Sequence, residues 1–171
     1  MSSGEVRVRA AEKRDEGAIA DTLIRAFARE DEARMVRRLE NSQASVASLV
    51  ADVGGLVVGH AMLSRVDARI DGRSVPVLAL APVAVRPTHQ GLGIGSRLVS
   101  AALDRAADDG AEAVLVVGDP RYYRRFGFSA ARARVFSSRY AGDVLQAVEI
   151  VPGALSGESG TVEYPIAFAD A

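Results

Sequence analysis

The stretch from Val77 to Gly110, VLALAPVAVRPTHQGLGIGSRLVSAALDRAADDG, leaves this chain few ways to fold. It opens on an apolar run, Val77 to Val85, interrupted by Pro82 and bounded by turn residues. A run of that length between turn signals reads as a buried strand. Further on, Leu98, Val99, Ala102, Leu103 and Ala106 recur at helical spacing, with Arg97, Asp104, Arg105 and Asp108 on the other side. That spacing predicts an amphipathic helix. Between the two lies Gln90-Gly91-Leu92-Gly93-Ile94-Gly95. The unit is strand, glycine loop, helix.

The chemistry of such a unit follows from its backbone. The first N–H groups of a helix lack intrahelical partners, and the aligned peptide dipoles place partial positive charge there. Glycines let the chain take positive φ and let a ligand approach the backbone. Together they make a cradle for phosphate or pyrophosphate. The plainer reading is that Gly91, Gly93 and Gly95 only make a tight turn. A Walker loop needs GxxxxGK[ST], and the one lysine, Lys13, lies far away. A dinucleotide fingerprint is a nearer rival, because Asp119 ends the next apolar run. The spacing here is GxGxG, however, with Ser96 where a third glycine belongs.

A different pattern fits. Val85, four residues, Gln90, two residues, Gly93, one residue and Gly95 resemble the acetyl-CoA signature of the GCN5-related N-acetyltransferase (GNAT) superfamily. The later YYRRFGF, residues 122 to 128, resembles that superfamily's helix with a tyrosine before a Gly-Phe turn. GDPRYYRRFGF followed by VPGALSG resembles, more narrowly, the YhbS-type N-acetyltransferases. The resemblance covers nearly the whole chain and is strongest from Leu78 to Phe128.

It implies an α/β fold: a mixed, mostly antiparallel sheet, splayed at a bulge near Ala81-Pro82 and flanked by helices. It also implies acetyl-CoA as acetyl donor and direct transfer to a primary amine. Backbone groups of Val83, Ala84 and Val85 would meet the pantetheine arm. Gln90, Gly91, Leu92, Gly93, Ile94, Gly95 and Ser96 would hold the pyrophosphate. Tyr123, four residues before Gly127, would protonate the leaving thiolate. A phenol of pKa about 10 protonates a thiolate of about 8.5 only uphill or with local help, so position must matter. The pattern departs in one respect: many GNAT enzymes carry a glutamate base in the central strand, and Leu78 to Val85 has no ionisable residue. A non-catalytic acyl-CoA-binding or regulatory domain is therefore the alternative.

The remaining sequence narrows the classes. At 171 residues the chain suffices for one domain, 1–171, with a sizeable core. Its net charge of −1 argues against a nucleic-acid binder. With no cysteine and only His60 and His89, no metal site is expected. The charged N-terminus has no signal-peptide pattern and no run is long enough to span a membrane, so a cytoplasmic protein is expected. The abundance of Arg and Ala over Lys points to a GC-rich bacterial source.

In chain order, Val6 to Arg9 alternates as a strand, and Ile19, Leu23, Ile24 and Phe27 form one face of a helix over Ala10 to Phe27. A second helix is expected over Asp31 to Glu40, with Glu30, Asp31 and Glu32 as a solvated acidic cap. The resemblance keeps a catalytic role for these acids as the alternative, because this helical region borders the acceptor site in GNAT proteins. Ser45 to Asp52 and Leu56 to Val66 read as a hairpin. His60 there is a candidate general base, with packing as the alternative. Asp71-Gly72 signals another turn. Ala113 to Val117 reads as a strand parallel to Val77 to Val85, ending at Asp119, a helix cap ahead of Pro120. Arg134 to Tyr140, Leu145 to Val151 and Thr161 to Phe168 are strand-like, with Glu149 and Glu163 pointing out of the core. The resemblance makes a homodimer through such late strands an expectation.

Overall fold

The computed structural model describes residues 4–140, 142 and 144–170. The chain starts with strand β1 (Val6–Ala10), a 3-10 turn at Lys13–Asp15, and helices α1 (Glu16–Phe27) and α2 (Asp31–Asn41). Four strands follow: β2 (Ser45–Val53), β3 (Leu56–Arg65), β4 (Asp67–Ile70) and β5 (Arg73–Val75). The central strand β6 (Val77–Val85) leads through the glycine loop into α3 (Ile94–Asp108) and β7 (Ala113–Val117). The short helices α4 (Pro120–Tyr123) and α5 (Ala130–Ala133) precede β8 (Phe136–Ser137), β9 (Leu145–Glu149) and β10 (Gly160–Glu163).

Six strands form the main sheet in the order β1-β2-β3-β6-β7-β9, and β5-β4-β10-β8 form a smaller one. Within the main sheet only β6 and β7 run parallel, as a strand–helix–strand crossover requires. The mixed, mostly antiparallel architecture expected from the sequence is present.

The side chains of β3 serve two cores, with the alternation broken by a register slip against β2 at Val58. Val58, Ala61 and Leu63 meet Leu98, Val99, Ala102 and Ala106 of α3. Val57 and Met62 meet Ile19 and Leu23 of α1 and Val36 and Leu39 of α2. Gly59 is where α3 comes nearest: a Cβ there would lie 2.8 Å from Leu98 Cδ1.

The feature that prepares a site is the failure of the central ladder. β6 pairs with β7 only at Val77, Leu78 and Ala79, although β6 runs on to Val85 and β7 to Val117. On its other edge the register with β3 slips between Ala61, opposite Val83, and Leu63, opposite Leu80. Ala81 and Pro82 therefore share a single partner position. Proline has no N–H for a ladder, so a bulge is where a central strand can accommodate it. The splay lies at Ala81-Pro82 as expected.

Several local expectations need correction. α1 begins at Glu16, because Asp15 accepts the Glu12 amide at 2.7 Å and the Arg9 guanidinium, which holds a 3-10 turn ahead of the helix. The last segment stops as a strand at Glu163, since Pro165 cannot donate to a ladder, and Ile166–Asp170 coils so that Ala167 and Phe168 are buried. Arg134 to Tyr140 yields only the two-residue β8. Glu149 does not point into solvent: its carboxylate is 7% exposed, pairs with Arg132 and accepts the Leu155 amide at 3.0 Å.

Candidate active site

The glycine loop turns on two residues in the left-handed region, Gly91 at φ 78° and Gly93 at φ 79°. Nothing lies within 4 Å of where a Cβ would stand at either, so this side of the loop is open. Gly93 caps α3, whose first intrahelical bond runs from the Arg97 amide to the Gly93 carbonyl at 3.1 Å. The amides of Ile94, Gly95 and Ser96 precede that bond and remain available to an anion. Ile94 anchors the helix start, 2% exposed in the core, whereas Leu92 is 68% exposed. The Gln90 side chain donates to the Val85 carbonyl at 3.0 Å, so it braces the loop against the end of β6.

Where β6 and β7 part, a cleft of about 320 Å³ opens, lined by Ala79 to Val83, Leu115 to Val117 and Tyr123. Val83 thus lies in the cleft. Ala84 is buried on the α1–α2 side and Val85 packs towards α3, so neither puts its side chain in the cleft.

Tyr123 reaches the cleft through local packing. Asp119 caps α4 by accepting the Arg121 amide at 2.9 Å, with Pro120 in the first turn, as expected. The Tyr123 ring lies against Gly118, where a Cβ would stand 2.6 Å from its Cε2, and meets Phe128 edge-on at 5.7 Å. Burial pushes its phenol up to about 12, so it stays protonated. The same apolar surroundings penalise a thiolate as well, so the acidity gap between the two groups is not set by the phenol alone.

Tyr122, given no role of its own by the sequence, joins loop and cleft. Its hydroxyl is 3.5 Å from Ser96 Oγ and lies 2.9 Å from where a Gly95 Cβ would be. Its ring packs edge-on against Tyr123 at 5.0 Å. The helix start and the Tyr123 phenol are thereby held in one rigid cluster.

His60 is not at the site. It is fully buried, Nε2 lies 2.9 Å from Ser48 Oγ, and desolvation lowers its pKa to about 4. It does not line the cleft, so it is no base for a substrate there. Glu32 overturns the expectation of a solvated cap. Glu30 is exposed and Asp31 pairs with Arg34 at 2.6 Å, but Glu32 is 5% exposed, held by Arg29, and lines the cleft. A spacing of three from Arg29 was the available signal. Among the described residues no His/Cys/Asp/Glu group could hold a metal ion, and no helix is long and apolar enough to cross a membrane.

The sequence model of the Acetyltransferase (GNAT) domain matches residues 7–131. The chain belongs to the GNAT family. This GNAT protein is 34% identical over 153 residues to the uncharacterized N-acetyltransferase YhbS of Escherichia coli K12, covering 88% of this chain and 90% of that one. The crystal structure of YhbS from Escherichia coli in complex with CoA superposes with a TM-score of 0.89 at 31% identity, over 99% of this chain and 94% of that chain. A GNAT family acetyltransferase from Brucella melitensis, solved with acetyl-CoA, matches with a TM-score of 0.79 at 30% identity, over 96% and 98% of the two chains.

Proposed function

We propose that this GNAT protein transfers the acetyl group of acetyl-CoA directly to a primary amine, with residues 1–171 acting as one domain. The observation that carries the reading is the parted β6–β7 cleft, with Tyr123 in its wall and the open amides of α3 tied to it through Tyr122. Complexes of the two relatives with CoA and acetyl-CoA support the choice of donor.

Acetyl-CoA supplies the thioester: the amine nitrogen bonds to its carbonyl carbon, the C–S bond breaks, and sulfur takes a proton. The protein's part is placement and charge. Amides from Gly91 to Ser96 grip the diphosphate, aided by the helix dipole and by the open space at Gly91 and Gly93. Beyond Ala79 the β6 edge no longer pairs with β7, so backbone groups of Val83 and Val85 serve the pantetheine arm, while those of Ala84 between them face β3. The Val83 amide is the candidate donor to the carbonyl oxygen as charge builds there. Tyr123, neutral and held by Gly118 and Phe128, donates its phenolic proton towards the departing sulfur.

Tyr123→Phe should lower kcat by about one hundred- to a thousandfold while leaving acetyl-CoA affinity unchanged. Thiol release with an amine panel, beside calorimetry with acetyl-CoA, measures both. Equal turnover by mutant and parent would remove Tyr123 from the mechanism. A second reading, an acyl-CoA-binding domain without turnover, is favoured by one feature: β6 places no ionisable side chain in the cleft. Binding without thiol release from any amine would establish it.

A further inference from the structure

The cleft has a second wall on which the transfer step makes no demand. Phe27 at the end of α1, Glu32 of α2, and Tyr140, Tyr164 and Phe168 from the C-terminal segment line the same space as Tyr123. At about 320 Å³ the space is at the lower end of the roughly 300–1,000 Å³ of small-molecule sites. The same space also has to receive the thioester end of acetyl-CoA between β6 and β7, so the acceptor must be compact.

One carboxylate stands in that wall. The Glu32 side chain is 7% exposed. Arg29 Nε donates to Oε1 at 2.9 Å and to Oε2 at 3.1 Å, and Nη2 closes on Oε1. A carboxylate offers about four acceptor positions, so Oε2 keeps capacity for another donor. Arg29 itself is 53% exposed and shared with Asp31 at 3.6 Å, so the pair is open to competition on its outer side. A buried carboxylate in apolar surroundings is stabilised by each further N–H donor it gains.

Besides Glu32, its partner Arg29 and Met35, this wall is aromatic. Tyr164 packs edge-on against Tyr140 at 4.9 Å and lies 5.2 Å from Phe168. The Tyr164 hydroxyl is buried without a hydrogen-bond partner in the structure, a second polar group presented by a lining residue. Arg139, stacked 4.8 Å from the Tyr140 centroid, is exposed and does not line the cleft.

We propose that the acceptor is a small primary amine on an aromatic body, and that Glu32 selects it by accepting an N–H of its amino group. The proposal rests on the acetyltransferase reading above. The rings of Phe27, Tyr140, Tyr164 and Phe168 enclose the body by edge and face contacts, each worth more than area alone. Arg29 already balances the Glu32 charge in this wall, so an acceptor with several ammonium groups would bring charges that the cleft does not match. In the transfer the ammonium first gives one proton to water. The nitrogen then bonds to the acetyl carbon as the C–S bond breaks, and the second proton it loses balances the one gained by sulfur.

The full chain is tested with acetyl-CoA and three acceptors: 2-phenylethylamine, spermidine, and a short peptide with a free N-terminus. The expected result is a kcat/KM for 2-phenylethylamine at least about tenfold above either rival. Glu32→Gln is expected to lower that kcat/KM by about ten- to a hundredfold, chiefly through the KM for the amine. Calorimetric affinity for acetyl-CoA should not change, and Glu32→Asp should recover part of the loss. Preference for spermidine or the peptide overturns the proposal and leaves the acetyltransferase reading standing, as does a Glu32→Gln variant with the parent's KM. Acetyl-CoA binding with no thiol release from any amine overturns both. Should Glu32→Gln fail to fold, the parent's order of preference decides.

Discussion

Gly118 shows how one missing methyl group can place a reactive atom. It ends β7 under the Tyr123 ring, and a Cβ would stand 2.6 Å from Cε2 and 3.2 Å from Cδ2. Carbon atoms do not approach so closely, so Gly118→Ala must tilt the ring or shift α4. Misplacing a catalytic group by about 1 Å costs on the order of a hundredfold in rate. We therefore expect Gly118→Ala to lose kcat on that scale and to keep acetyl-CoA affinity, which depends on the glycine loop. Steady-state kinetics beside calorimetry separates the two quantities. A variant with parental kcat would show that the ring position is not critical.

At the scale of elements, α3 does two jobs with its two ends. Its body seats the helix, with Leu98, Val99, Ala102 and Ala106 buried on the sheet, while its N-terminus presents the open amides. Leu98 is fully buried and fills the space that Gly59 leaves on β3. Truncating such a side chain removes transfer free energy and leaves a cavity. Leu98→Ala should therefore destabilise the fold by about 2–5 kcal/mol, read from urea unfolding. A loss below about 1 kcal/mol would mean that the helix does not depend on this contact. Tyr122 ties the far end of the arrangement, α4, to the same helix start.

At the scale of the whole molecule, the sheet gives up part of its central ladder to make room for a ligand. Acetyl-CoA seated between β6 and β7 binds the folded state alone, so it should stabilise that state. At a hundred times its Kd the gain is about 2.7 kcal/mol, or roughly 5–10 °C in Tm for a chain of this size. Gly93→Glu should abolish this rise, because the new carboxylate stands where the diphosphate belongs. The substitution also strains a backbone at φ 79°. Gly93→Ala carries the same strain without the charge, so it should lower Tm yet keep a ligand-induced rise. Thermal scans with and without acetyl-CoA compare the three proteins, and an unchanged rise in Gly93→Glu would sink the anion cradle.

The sequence by itself determined the elements whose signals are local. Unbroken apolar runs between turn residues set β6 and β7, and a spacing of three to four set α3, with the bounds of β6 and β7 reproduced residue for residue. Asp119 before Pro120 encoded a cap within three residues, and Pro82 marked the bulge because it lacks a donor. The tertiary structure decided environments. Glu32 and Glu149 read as solvated: the spacing from Arg29 offers Glu32 a partner but does not show the cleft around it, and nothing near Glu149 in sequence shows Arg132 and Leu155. His60 read as a candidate base because its complete burial depends on α1 and α2 packing over β3. The acceptor wall joins Phe27 and Glu32 to Tyr140, Tyr164 and Phe168 across more than a hundred residues of chain. No window of sequence contains both halves, and only the packing of the two chain ends onto one splayed sheet brings them together.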